Sequence, residues 1–303
     1  MGVRLPLQQQ LQLLAALRVE EVPQLLMLPG DSKSSDSRYM AQRACDGSPS
    51  ADWLAARRGV LTAGSFATAM GFSGEQGARE LRRALRGGGG GGGAEDYLSA
   101  APASPSGPSA AGKRWGMRHE RSGLLTYITG WLSHACPEAR VAETGFWPFT
   151  VGGDCGRSLR LGASPDAIVH GAERLCDGGS YLIEVKCPFN GGEPRAHERP
   201  PPSVVPQLQG ALLATGLRDA TLVSWSPYGT AIFWVRADAD YQAALLHAVK
   251  LWLDEAVGGG GVGGTALSGR LRLHSQHVAE RAELVGFVPE TECVRVKHTM
   301  WPY

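Results

Sequence analysis

Three residues in this sequence could do chemistry together: Asp166, directly after Pro165, and the pair Glu184 and Lys186 a hairpin's length further on. In an extended strand alternate side chains share a face, so Glu184 and Lys186 point the same way while Val185 packs behind them. If the preceding strand pairs alongside, Asp166 joins them from the bend at Pro165. Two carboxylates held close together repel one another unless a cation sits between them. Hard oxygen ligands with no His or Cys partner favour Mg²⁺ or Mn²⁺ over zinc. Such a metal polarises a phosphate, lowers the pKa of a bound water and neutralises a leaving oxygen. Lys186 could orient that water and offset the developing negative charge, so the chemistry that fits is phosphodiester hydrolysis. The same short pattern also fits a surface hairpin with an incidental salt bridge to Lys186. A glycosidase reading of the paired carboxylates leaves Lys186 unexplained.

Holding these groups in place takes strands, and the sequence offers them. Segments 141–147, 158–170 and 181–187 read as strands, the last two joined by the turn Cys176-Asp177-Gly178-Gly179. Two more, 221–225 and 231–236, flank Pro227-Tyr228-Gly229. Ser50 reads as the start of a helix carrying Trp53, Leu54 and Arg57, and Thr62 as the cap of a second through Phe66, Ala69 and Met70. A third helix is expected over 75–85. Leu124, Leu125, Ile128, Trp131 and Leu132 keep helical spacing until Pro137, with Tyr127 and Trp131 read as core. Segment 203–215 is a helix tolerating Pro206 in its first turn, and 237–256 is amphipathic. Helices, then a mixed sheet, then flanking helices make an α/β domain over 39–256. Residues 1–38 read as peripheral. The glycine run 87–93 and the Pro/Ser/Ala-rich stretch 100–112 read as a flexible insertion at about 86–112, and 257–303 as a Gly-rich linker with a C-terminal tail.

A hydrophobic share of 43% and a charged share of 19% belong to an ordinary globular chain, and 303 residues suffice for a large core. The net charge of +1 says little, because the charge is unevenly placed. Between residues 53 and 121 stand ten basic side chains (Arg57, Arg58, Arg79, Arg82, Arg83, Arg86, Lys113, Arg114, Arg118 and Arg121) against five acidic ones. That excess suits a nucleic-acid-binding face, and equally a solvated helix surface. The six cysteines include no C-x-x-C pair, which argues against structural zinc or an iron–sulfur cluster. No secretory signal accompanies them, so an intracellular, reducing compartment is expected, with the nucleus or a DNA-containing organelle compatible. Leu11, Leu13, Leu14 and Leu17 could form a short amphipathic helix, but Glu20, Glu21 and Asp31 weaken a transit-peptide reading. No apolar stretch is long enough to span a membrane. His274 and His277, lacking further ligands, read as surface residues.

Several motifs in order make the chain resemble the PD-(D/E)XK nuclease superfamily, and within it the bacteriophage lambda exonuclease and YqaJ viral recombinase family. They are 53–63 (WLAARRGVLTA), 115–120 (WGMRHE), Gly162-Ala163-Ser164-Pro165-Asp166, 182–188 (LIEVKCP) and Val205-Pro206-Gln207-Leu208-Gln209, followed by the strand Leu222-Val223-Ser224-Trp225. The resemblance implies a restriction-endonuclease-like core, a central mixed β-sheet flanked by helices. It implies a Mg²⁺- or Mn²⁺-dependent deoxyribonuclease acting on double-stranded DNA ends in recombination or repair. Asp166, Glu184, Lys186, Gln207 and Glu120 would be its catalytic residues. Asp166, Glu184, Glu120 and the backbone carbonyl of Val185 would be its metal ligands. Arg57 and Ser164 match positions that hold a terminal 5′-phosphate, a task a bidentate guanidinium suits. Gly64 stands where the family has serine, removing a hydroxyl from that pocket, and Ser65 would need a shifted helix start to replace it. DNA is the implied partner, and a homotrimer is implied by the resemblance alone. A catalytically silent DNA-binding protein and an endonuclease on the same fold are the competing readings.

Overall fold

The computed structural model describes residues 38, 42, 49–86, 108–152, 158–258 and 264–296. Most of 1–38, the glycine run 87–93 and residues 297–303 therefore lie outside the described residues. Its centre is a six-stranded mixed sheet. The members are β2 (Arg140–Glu143), β5 (Ala167–His170), β6 (Ser180–Lys186), β7 (Asp219–Ser226), β8 (Gly229–Arg236) and β9 (Glu283–Pro289), hydrogen-bonded in that order. Only β6 and β7 run parallel; the other pairs are antiparallel. A second sheet places β4 (Ser158–Ala163) between β1 (Leu61–Thr62) and β3 (Trp147–Gly152).

Strand alternation sorts the apolar residues into two cores. Leu182, Ala220, Leu222 and Phe233 face α2 (Ala63–Ala69), α5 (Val205–Thr215), α6 (Ala239–Gly258) and α7 (Gly264–Glu280). Ile183, Val185, Val223 and Trp225 face α4 (Pro108–Tyr127), which continues through a π-helical turn at Ile128–Leu132. Two shorter helices precede α4: α1 (Ala51–Arg57), capped by the Ser50 side chain, and α3 (Gly74–Arg86). Helix α5 starts with its proline in the first turn and stops at Gly216, whose left-handed φ of 71° returns its N–H to Leu212. Tyr127 is fully buried and shares a 2.6 Å bond with the Tyr181 hydroxyl, so the core reading of Tyr127 holds.

Four expectations change, the first being the strand expected over 141–147, which ends at Glu143 as β2 while Trp147 opens β3 in the other sheet. The strand expected over 158–170 is two strands in different sheets, β4 and β5, with Ser164-Pro165-Asp166 as the corner between them. Helix α4 begins at Pro108, inside the stretch expected to be a flexible insertion. Within the expected tail, α7 and β9 are regular elements, and β9 is the outer strand of the main sheet beside β8. Beyond it, the N–H groups of Val294 and Val296 donate to the hydroxyls of Thr126 and Ser122 on α4. The four described cysteines are free thiols. Among the described residues no helix is long and apolar enough to cross a membrane.

Candidate active site

The corner at Pro165 explains how a loop carboxylate reaches a buried strand. Pro165 lacks a backbone N–H and cannot continue a ladder, so the chain leaves one sheet and enters the other across it. Asp166 lands beside β6: its N–H donates to the Ile183 carbonyl at 3.2 Å, and its Oδ2 accepts from the Val185 N–H at 2.6 Å. Gln42 clamps the corner from outside, its Nε2 donating to the carbonyls of Pro165 and Thr144, both at 2.7 Å.

Glu184 and Lys186 project from β6 toward α5, as strand alternation requires. Glu184 is only 3% exposed, yet two donors meet its Oε1: Lys186 Nζ at 2.5 Å and Gln207 Nε2 at 2.5 Å. Gln207 comes from the first turn of α5, so the start of that helix is aimed at the carboxylate. These four residues, named from sequence, therefore meet in one place. Glu120, on α4 across the sheet, is half-buried and near enough to act electrostatically on both Asp166 and Glu184.

Burial drives the electrostatics. Desolvation, then the neighbouring charges of Glu184 and Glu120, hold the Asp166 carboxyl well above the usual carboxylate range. Burial also raises Glu184, with Lys186 and Gln207 pulling the other way. For Lys186, burial opposes the ammonium, but Glu184 and Asp166 outweigh it and hold its pKa up. Carboxylates forced toward protonation by burial first and by neighbouring acids second offer a place that a hard cation would neutralise. The donor set of Asp166, Glu184, the Val185 carbonyl and Glu120 fits Mg²⁺ or Mn²⁺ in kind. Among the described residues no three His, Cys, Asp or Glu side chains stand close enough to be a ready-made ligand trio, His274 and His277 included.

Arg57 and Ser164 also come together, through a residue the sequence reading left without a role. The Trp53 indole N–H donates to Ser164 Oγ at 3.0 Å, and the Arg57 guanidinium lies 3.9 Å over the Trp53 ring. Arg57 also reaches Thr62 Oγ1 at 3.5 Å. The serine alternative fails: Ser65 is 4% exposed on the inner side of α2, while Gly64 faces outward with open space where a side chain would stand. Two of the basic residues are held differently. Arg79 is exposed and paired with Glu75, whereas Arg82 lies over the Trp252 ring of α6.

Gln42 and Trp53 stand beside these residues without having been given a role from sequence. Trp53 stood inside a quoted motif, so a signal existed; Gln42 joins through long-range contacts that leave no spacing to read.

A family model described as the YqaJ-like viral recombinase domain matches residues 52–218, more than half of the chain. Among solved structures, the chain is similar to the alkaline exonuclease LHK-Exo of Laribacter hongkongensis. The identity is 20%, covering 76% of this chain and 99% of that one, with a TM-score of 0.43. The same exonuclease in complex with dAMP gives 20% identity, the same coverage and a TM-score of 0.44. SSO0001 gives 14% identity over 67% of this chain and 77% of that one, with a TM-score of 0.38. A search of curated proteins finds no match.

Proposed function

We propose, from the premise that this chain belongs to the YqaJ-like viral recombinase family, that it is a divalent-metal-dependent nuclease that hydrolyses DNA from double-stranded ends in recombination or repair. The observation that carries the reading is the convergence on one buried carboxylate, Glu184, of Lys186 and Gln207, with Asp166 pinned to the neighbouring backbone.

In this site Asp166 and Glu184 would hold Mg²⁺ or Mn²⁺, with the Val185 carbonyl and Glu120 completing the set. The bound ion would supply charge neutralisation at the phosphate and a more acidic water. The chain's own residues do the rest. Both donors to Glu184 take Oε1, which leaves Oε2 for a ligand role. Lys186 stands beside the carboxylates as an ammonium, able to orient the attacking water and to neutralise a developing oxyanion. Gln207 fixes the rotamer of Glu184 and presents an amide to the same space. Arg57, Trp53 and Ser164 form a cluster two residues from Asp166, suited to the phosphate of a strand end.

A second reading, cleavage independent of an end, has one observation in its favour: with Ser65 buried and glycine at position 64, the end cluster lacks the hydroxyl that the family's serine would add there. Incubating the protein with linear and closed circular DNA in Mg²⁺, Ca²⁺ or EDTA separates the two. Loss of linear DNA alone supports the exonuclease, and nicked circles support the endonuclease. Asp166→Ala and Lys186→Ala are each expected to lower the rate by about a thousandfold or more while leaving the fold intact. If the wild type binds DNA but cuts neither form in Mg²⁺ or Mn²⁺, the nuclease reading is wrong.

A further inference from the structure

We propose that His197 is a further catalytic residue of this site, its imidazole Nε2–H donating to a non-bridging phosphate oxygen of the strand held beside Lys186. The proposal rests on the nuclease reading above and adds a residue outside every motif quoted for the family.

The argument starts from Ser224. In the parallel pair β6–β7, Ser224 is the register partner of Lys186, so the two side chains stand on the same face at neighbouring strand ends. Ser224 is fully buried, and its hydroxyl must be satisfied there. His197, in the connection from β6 to α5, satisfies it twice. The His197 backbone N–H donates to Ser224 Oγ at 2.8 Å, and the ring's Nδ1 lies 2.9 Å from the same oxygen. An oxygen already accepting a backbone N–H has its own hydrogen to give, and Nδ1 takes it. The neutral ring then carries its proton on Nε2, the nitrogen pointing away from the clasp.

That ring is half-buried rather than sealed, and Lys186 is close enough to perturb it. Burial first, and the Lys186 charge second, push the imidazole below its ordinary pKa, so it is a neutral donor at neutral pH. The site has use for one. The Lys186 ammonium is already drawn to Glu184 Oε1, as is the Gln207 amide. A phosphate entering there meets two donors that are partly committed. A neutral N–H on a clamped ring adds a hydrogen bond without more positive charge near the carboxylates. The position is also the expected one, since ligands in open α/β sheets gather at the carboxyl ends of parallel strands.

Two conservative variants separate a catalytic role from a structural one. Asparagine places an amide where Nδ1 was and keeps the Ser224 clasp without a distal donor, whereas glutamine places its amide near Nε2. His197→Asn is expected to lower kcat about a hundredfold at unchanged KM and nearly unchanged Tm, and His197→Gln to recover part of that loss. A second readout needs no turnover: ¹⁵N NMR of the imidazole with a 5′-phosphorylated duplex oligonucleotide in Ca²⁺. The free protein should show the Nε2–H form, and its Nε2 signal should shift on DNA addition. Cleavage by His197→Asn within threefold of wild type, or an Nε2 signal indifferent to bound DNA, would overturn the proposal. If the wild type cuts no DNA, the nuclease reading fails separately and the NMR experiment still decides whether His197 meets phosphate.

Discussion

Gly64 is the residue whose replacement asks the sharpest question of the site. It lies exposed in the first turn of α2, and the nearest atom to an added Cβ is Thr62 Oγ1 at 4.0 Å. A serine therefore fits without displacing anything and puts a hydroxyl beside the Arg57–Trp53–Ser164 cluster. Gly64→Ser should raise stability by about 0.5 kcal/mol from helix propensity alone, visible as a higher Tm. It should also increase the ratio of cleavage rates on 5′-phosphorylated over 5′-hydroxyl ends; an unchanged ratio would detach this cluster from end recognition. Asp166, Glu184 and Lys186 were legible in the sequence because strand alternation and the bend at Pro165 fix their directions, and Gln207 only through the family resemblance. Gln42 was not, since it touches Pro165 across a sequence separation of 123 residues and lies ahead of the first quoted motif. His197 was hidden for the same reason, its partner lying on a different strand.

Elements carry these residues, and small misfits between elements should reach the chemistry. Gly123 of α4 lies where the helix crosses the sheet, and an added Cβ would stand 2.5 Å from Val185 Cγ1 and 3.1 Å from Trp225 Cβ. Gly123→Ala should therefore push α4 off the sheet, costing about 1–3 kcal/mol and moving Glu120 away from Asp166. Denaturant midpoints would measure the first effect and cleavage rate the second; a stable, fully active variant would contradict this packing. On the far side of the sheet, Asp238 caps α6 by accepting the Tyr241 N–H at 2.8 Å and pairs with Arg281 at the end of α7. Burial works against that carboxylate, but the cap bond and Arg281 prevail and hold its pKa below the ordinary 3.8. A depressed folded-state pKa stabilises above the unfolded value and loses that contribution as pH falls through the folded one. Asp238→Ala should thus lower Tm clearly at pH 7 and hardly at all near the acid limit of folding, as thermal scans across pH would record. At this scale the sequence blurred one boundary: the apolar pattern of 158–170 runs through Pro165 unbroken, so nothing but the proline announced a change of sheet.

For the molecule as a whole, the strand order matters more than the extent of the matched family region. Residues 52–218 hold Asp166, Glu184, Lys186, Gln207 and Glu120, but β7 and β8 follow them, and β8 is paired on its outer side only by β9. Val288 of β9 is fully buried against α4's continuation, where Gly130 leaves room for it, and Gly286 lies against Trp131. Ending the chain after Ala282 should expose the β8 edge, lower Tm by several degrees and promote aggregation, measurable by light scattering during heating. A truncated protein that stays monomeric with wild-type Tm would show β9 to be dispensable. The tail was misjudged from sequence because the glycine-rich stretch before it looks like a linker, while β9 gains its strand character from β8 rather than from its own short pattern. Timing follows from this arrangement. On the ribosome every side chain of the proposed site emerges before the strand that seals the sheet, so a nascent chain carries these residues without their frame. Chains cut short in synthesis would present an open edge to quality control, so the proposed site would not persist without the sheet that holds it.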